Sequence, residues 1–168
     1  EVRKKGADYF ARSSAVVGVF KIASDIGEGL NKSVDDFLNK KLFDFAFSEP
    51  TNVLVRDGDK QYTLQKTGEK WLQGGKQMDA TSVQSLIDKL RDLSAIKFVN
   101  TGFTTPLIEI SVTSDSGKRV EKVQIARNGN SYFARREAEP AIYELDSKNV
   151  EEIQRAAADV KEAPPPKK

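Results

Sequence analysis

Hydrophobic residues recur with two different periods along this chain. Val53 and Val55, Tyr62 and Leu64, and Ile108, Ile110 and Val112 alternate with polar neighbours, the period of strands with one face buried. Val83, Leu86, Ile87, Leu90 and Leu93 instead fall three and four apart. Gln84, Asp88, Lys89 and Arg91 are left for water, so the spacing predicts an amphipathic helix opened by Asp79. A further helix starts at Asp146 or Ser147 and puts Val150, Ile153, Ala157 and Val160 on one face. Nearer the start, Ser33-Val34-Asp35-Asp36 reads as a variant capping box ahead of an apolar stripe of Val34, Phe37, Leu38 and Leu42.

Turn residues punctuate the alternating stretches. Asp57-Gly58 carries a type I′ hairpin signal, Thr67-Gly68 marks a second turn, and Asn128-Gly129 marks another two-residue hairpin. Gly74-Gly75 breaks the strand pattern after Trp71-Leu72, and Ser114-Asp115-Ser116-Gly117 joins two later strands. Segments 8–13 and 16–23 read as a hairpin around Ser13-Ser14, and 120–126, 131–136 and 141–145 as further strands. Strands, helix, strands, helix, with no step that demands a parallel crossover, predicts an α+β fold. It consists of antiparallel β-meander sheets with helices packed on one face.

The pattern also repeats. Tyr9-Phe10-Ala11-Arg12 returns unchanged as Tyr132-Phe133-Ala134-Arg135, and each copy is followed at the same distance by a similar string, Val19-Phe20-Lys21-Ile22 and Ile142-Tyr143-Glu144-Leu145. A constant offset of 123 positions predicts a duplicated building block. The second copy has strands and a helix ahead of it, and the first has almost nothing. The expected organisation is therefore residues 1–43 as the closing part of a preceding repeat, 44–160 as a complete repeat, and 161–168 as an extended, disordered Pro/Lys tail.

Composition narrows the chemistry. With 168 residues and 38% hydrophobic content the chain can bury a real core, and 27 basic against 25 acidic residues give no field that favours nucleic acid or an anionic membrane surface. No apolar run approaches the length of a membrane span. Cysteine and histidine are both absent, which excludes thiol nucleophiles, Cys/His zinc sites and Ser-His-Asp triads. No catalytic residue, cofactor or metal is expected.

Four residues stand out as interaction candidates: Trp71, Arg12, Arg135 and Arg136. Trp71, the single tryptophan, offers a stacking platform for a sugar or peptide, or core cover for a sheet. The arginines offer an anion clamp, or partners for carboxylates across the sheet while the aromatics build the core. Gly74-Gly75-Lys76 lacks the spacing of a phosphate loop, and Asp57-Gly58-Asp59 lacks the spaced ligands of a calcium site. Asp35-Asp36 and Glu151-Glu152 fall in first helical turns, where negative charge suits the helix dipole.

Taken together, the Tyr62-to-Trp71 hairpin, the Val83-to-Leu93 helix, the Gly102-Phe103-Thr104-Thr105-Pro106 connection and the Tyr132–Arg135 and Ile142–Leu145 strands resemble the bacterial family known as domain of unknown function 4340. Phe103 stands where that family tends to have leucine, and Ala126 where a glycine often precedes the turn. The resemblance implies an exported protein on the periplasmic face, held to the inner membrane by an upstream anchor and associated with ABC-type transport systems. It implies no chemistry. The expectation is a non-enzymatic, extracytoplasmic interaction or scaffold domain whose partner is an envelope or transporter protein, with homo-oligomers as a further outcome. The alternative is a module binding glycan or peptide in a groove between repeats, and neither reading involves nucleic acid.

Overall fold

The structure is a computed structural model that describes residues 1–30, 38–45, 48–137 and 139–165. The chain divides into two units, Glu1–Asn39 and Lys40–Lys168.

In the first unit, β1 (Val2–Lys5), β2 (Asp8–Ala11) and β3 (Phe20–Ile22) form an antiparallel sheet in chain order, followed by helix α1 (Ser24–Leu30). The β2–β3 hairpin is the one the aromatic and β-branched residues predict. It is shorter than expected, because Val16 and Val17 lie in the connection and not in a strand. Tyr9 is the buried large side chain of this sheet and packs under α1, where it meets Gly27. A Cβ on Gly27 would lie 2.1 Å from the Tyr9 ring, so only glycine lets the helix approach this closely. The capping box at Ser33 and the apolar residues Val34 and Phe37 lie outside the described residues.

The second unit contains β4 (Asn52–Asp57), β5 (Lys60–Thr67), β6 (Lys70–Gln73), β7 (Lys76–Gln77), α2 (Ala80–Asp92), β8 (Ala95–Val99), β9 (Pro106–Ser114), β10 (Arg119–Asn128), β11 (Ser131–Arg136), β12 (Ile142–Leu145) and α3 (Ser147–Ala158). These strands all join one antiparallel sheet in the order β7-β6-β5-β4-β9-β10-β11-β12-β8. Two meanders, β4–β7 and β9–β12, thus lie side by side and join where β4 pairs with β9. Helix α2 carries the chain from one edge of this sheet, at β7, to the other, at β8.

Local chemistry explains most of these elements. Asp79 caps α2 by accepting from the Ser82 amide at 2.8 Å, and Asp146 caps α3 by accepting from the Lys148 amide at 2.9 Å. Gly74 and Gly75 both take positive φ, +57° and +83°, and connect Gln73 to Lys76 as the centre of a two-residue hairpin. That backbone is open to two consecutive glycines, so the pair builds a hairpin where a strand break was expected. The Asp57 hairpin is centred on Gly58-Asp59, with positive φ at Gly58 alone, and so is not the type I′ turn that Asp57-Gly58 signals.

The core of this unit combines Val83, Leu86, Ile87 and Leu90 of α2 and Val150, Ile153 and Ala157 of α3 with alternate residues of the strands, among them Val53, Leu64, Ile110, Ile125 and Tyr143. Leu42, Phe43 and Phe45 are buried in the same core. Leu42, assigned to a helical stripe by its spacing, is not helical. Its amide donates to the Leu93 carbonyl at 3.0 Å, and Lys41 bridges Ser94, so tertiary pairing with the end of α2 overrides the helical period here. At the other end, Lys161–Ala163 are tied to the β7 region: the Asp79 amide donates to the Lys161 carbonyl at 2.8 Å and the Ala163 amide to the Gln77 carbonyl at 2.9 Å. The tail is therefore anchored through Ala163 and is not wholly solvated from residue 161.

Candidate functional site

The repeated string gives the same local geometry twice. In the first unit Tyr9 pairs with Ile22, Phe10 with Lys21 and Ala11 with Phe20; in the second Tyr132 pairs with Leu145, Phe133 with Glu144 and Ala134 with Tyr143. Adding the 123-residue offset converts the first set into the second. The preceding strand obeys the same shift. Val2, Arg3 and Lys4 face Ala11, Phe10 and Tyr9, as Ile125, Ala126 and Arg127 face Ala134, Phe133 and Tyr132.

Details follow the register. Gly6 and Gly129 sit first in the two equivalent turns with φ of +62° and +61°. Lys4 places its ammonium 5.1 Å from the centre of the Tyr9 ring, and Arg127 its guanidinium 5.7 Å from the Tyr132 ring, one cation–π contact in each copy. Tyr and Ala of each string face inward, with Tyr9 and Tyr132 buried, because alternate residues of a strand share a face.

The candidate arginines do not converge. Arg12 ends the first string, and its backbone closes onto Glu1 through an amide-to-carbonyl bond of 2.8 Å. Arg135 is exposed and lies 5.6 Å from the Phe103 ring, so its partner is aromatic and not the cross-strand carboxylate that was expected. Arg136 does pair with carboxylates, Glu139 at 3.3 Å and Glu121 at 3.9 Å. The Gly102-Phe103 connection lies over β11: Gly102 has φ of +111°, and a Cβ there would come 2.6 Å from the Phe133 ring. Trp71 is only 7% exposed and belongs to the hydrophobic core, on β6, with β5, β4, β9 and β10 between it and β11.

The cluster around Glu121 was not read from the sequence. Glu121 is 8% exposed, accepts from the Asp44 amide at 2.8 Å, and lies 3.3 Å from Arg119; its Oε2 has no hydrogen-bond partner among the described residues. Nearby, the Tyr143 hydroxyl donates to Glu139 at 2.5 Å. Burial, reinforced by that carboxylate, pushes the Tyr143 phenol up to about 12. A signal was present: Glu121, Val123 and Ile125 share the core-facing parity of β10, so a charge at Glu121 breaks the alternation. Each arginine here is matched by carboxylates, an arrangement that ties β10 and β11 to the segment at Asp44. Among the described residues no group of three or more acidic side chains could hold a metal ion, and no helix is long and apolar enough to cross a membrane.

The exposed apolar residues are unevenly placed. Val16, Val17, Val19, Phe20, Ile26 and Leu30 are all exposed in the short first unit. At the 123-residue offset Phe20 and Leu30 correspond to the core residues Tyr143 and Ile153, each 1% exposed, whereas Val17 and Ile26 correspond to the exposed Pro140 and Asn149.

Comparison with known proteins agrees with the family resemblance. The family model described as a domain of unknown function, 4340, matches residues 1–107, and the chain belongs to that family. No curated protein and no solved structure matches the chain.

Proposed function

We propose that this chain is a non-catalytic interaction or scaffold domain built by duplication, whose unit is three antiparallel strands followed by a helix laid on one face. The observation that carries the reading is the equality of register between β1-β2-β3 and β10-β11-β12 under one fixed offset. Two hairpins of unrelated origin have no reason to share turn glycine, cation–π pair and cross-strand partners at once. A duplicated unit repeats its fold-determining residues, as solenoid repeats do.

Interaction is supported by the apolar side chains left in water on the first unit, since such patches mark surfaces that meet another polypeptide. Placement at the periplasmic face, an inner-membrane anchor, and an accessory role beside an ABC-type transporter are carried by the family association alone. The glycan or peptide alternative has no observation in its favour: Trp71 is enclosed by the core, and Arg135 stacks on Phe103.

Photo-crosslinking tests this reading. A photoreactive residue at Val17 in the natural gene product, activated in intact cells and followed by mass spectrometry, is expected to recover envelope or transporter proteins. Recovery of cytosolic proteins alone, or of nothing at a position so exposed, contradicts it.

A further inference from the structure

In the second unit β12 is flanked by β8 and β10 by β9, and α2 and α3 share the core with Tyr143, Leu145 and Ile153. In the first unit the equivalent strands β3 and β1 are the sheet edges, and the equivalent side chains Phe20 and Leu30 are 47% and 59% exposed. Seven of the ten exposed large hydrophobic residues among the described residues fall within Glu1–Asn39. Phe20 and Leu30, whose offset counterparts Tyr143 and Ile153 are core, stand beside strand edges unpaired among the described residues. Apolar surface at an open edge is suited to being covered, and the second unit displays what covers it.

We infer that the apolar face and open edges of the first unit seat a second front half of the kind formed by residues 40–123. Its amphipathic helix, patterned like α2, lies over Phe20, Ile22 and Leu30. A strand like β8 adds to β3, and one like β9 adds to β1, supplying main-chain hydrogen bonds by strand addition. The inference rests on the duplicated-unit reading. A second copy of the present chain is not the occupant, because its α2 and β8 are already engaged in its own core and against its own β12.

The partner's chemistry can be specified from two contacts. Phe98 packs against Tyr143 with ring centres 4.9 Å apart and planes tilted by 48°, so the incoming strand carries an aromatic or large aliphatic residue opposite Phe20. Lys97 lies 3.2 Å from Glu144, and at the equivalent place in the first unit the charge is reversed to Lys21. The incoming strand therefore carries an acidic residue where β8 carries Lys97. Lys21 is exposed and already pairs with Asp8 at 2.8 Å, so this contact selects between partners more than it holds them.

The test adds a second copy of residues 40–123 directly ahead of Glu1 in the full chain, the position such a segment holds ahead of Gln124. Amide hydrogen exchange is followed at Phe20, Lys21 and Ile22 and in both copies of α2. At least tenfold slower exchange at β3 is expected, together with loss of binding of a hydrophobic dye. Lys97→Glu in the added copy is expected to slow exchange further, and Phe20→Asp with Leu30→Asp to abolish the protection. Unchanged exchange at β3 while the added α2 is protected overturns the inference and leaves the duplication standing. An added copy that stays unprotected throughout overturns it too, since a fitting seat would order it. Protection in the unextended chain that grows with concentration, with dimers in sedimentation, gives the face to self-association and overturns it. The duplication reading fails separately, if β1–β3 of the unextended chain lack the cross-strand partners of β10–β12.

Discussion

The two copies of the Tyr-Phe-Ala-Arg hairpin share backbone pairing, turn and cation–π contact, and differ in what covers them. Phe20 is 47% exposed where its counterpart Tyr143 is 1% exposed, and Leu30 is 59% exposed where Ile153 is 1% exposed. Register is therefore a property of the local string, whereas burial belongs to the elements brought in from elsewhere, here α2, β8 and β9. Phe20 and Leu30 are thus surface where their counterparts Tyr143 and Ile153 are core.

The largest effect expected from this contrast is in side-chain truncation. Ile153→Ala empties a fully buried position and should destabilise the second unit by about 2–5 kcal/mol. Leu30→Ala, at the equivalent exposed position, should change stability by no more than about 0.5 kcal/mol. Urea denaturation of both variants decides it; equal losses would break the comparison. Next comes Gly102→Ala, which forces a left-handed backbone on alanine and drives its Cβ into Phe133. About 2–4 kcal/mol of strain and overpacking is expected by the same denaturation, confined to the second unit, where the Gly102-Phe103 connection lies over the hairpin.

Smaller and deliberately symmetrical is the pair Gly6→Ala and Gly129→Ala. Both glycines have nothing within 4 Å of where an alanine methyl would stand and nearly equal positive φ, so each should cost about 1–2 kcal/mol, the same in either copy. Unequal costs would show that the turns are not equivalent. Last comes a pH dependence, which has no effect at neutral pH. The Tyr143 phenol is pushed up to about 12 in the fold, above its value in an unfolded chain near 10. The folded state therefore holds its proton where the unfolded state has lost it. Stability is complete below pH 10 and declines between about pH 10 and 12. Tyr143→Phe should flatten that part of a urea-midpoint profile relative to the wild type.

Local patterns were legible in the chain wherever neighbours in sequence decide the structure. The α2 stripe from Val83 to Leu93, its Asp79 cap, the alternation at Ile108–Val112 and the β2–β3 hairpin all follow from residues a few positions apart. Features set by distant residues were not. The place of β8 beside β12 depends on pairing across more than forty residues, and Leu42 leaves its helical spacing because Leu93 accepts its amide. Gly74-Gly75 signals a break because two glycines interrupt a strand, yet two positive φ values in succession are also what a tight hairpin requires. Of the four interaction candidates, Trp71 is core and the arginines are dispersed, since a single strand string does not reveal which side chain finds an aromatic and which a carboxylate. Glu121 could have been noticed as a charge at a core-facing parity, but its partners Arg119, Arg136 and Asp44 come from three different segments.

The most direct measurement is the cross-strand NOE pattern of the isotopically labelled chain in solution. Contacts linking Val2 with Ala11, Tyr9 with Ile22 and Ala11 with Phe20 should map onto those linking Ile125 with Ala134, Tyr132 with Leu145 and Ala134 with Tyr143. A first-unit hairpin shifted by even one residue from that correspondence would contradict a duplicated unit, because a one-residue slip turns every side chain to the opposite face.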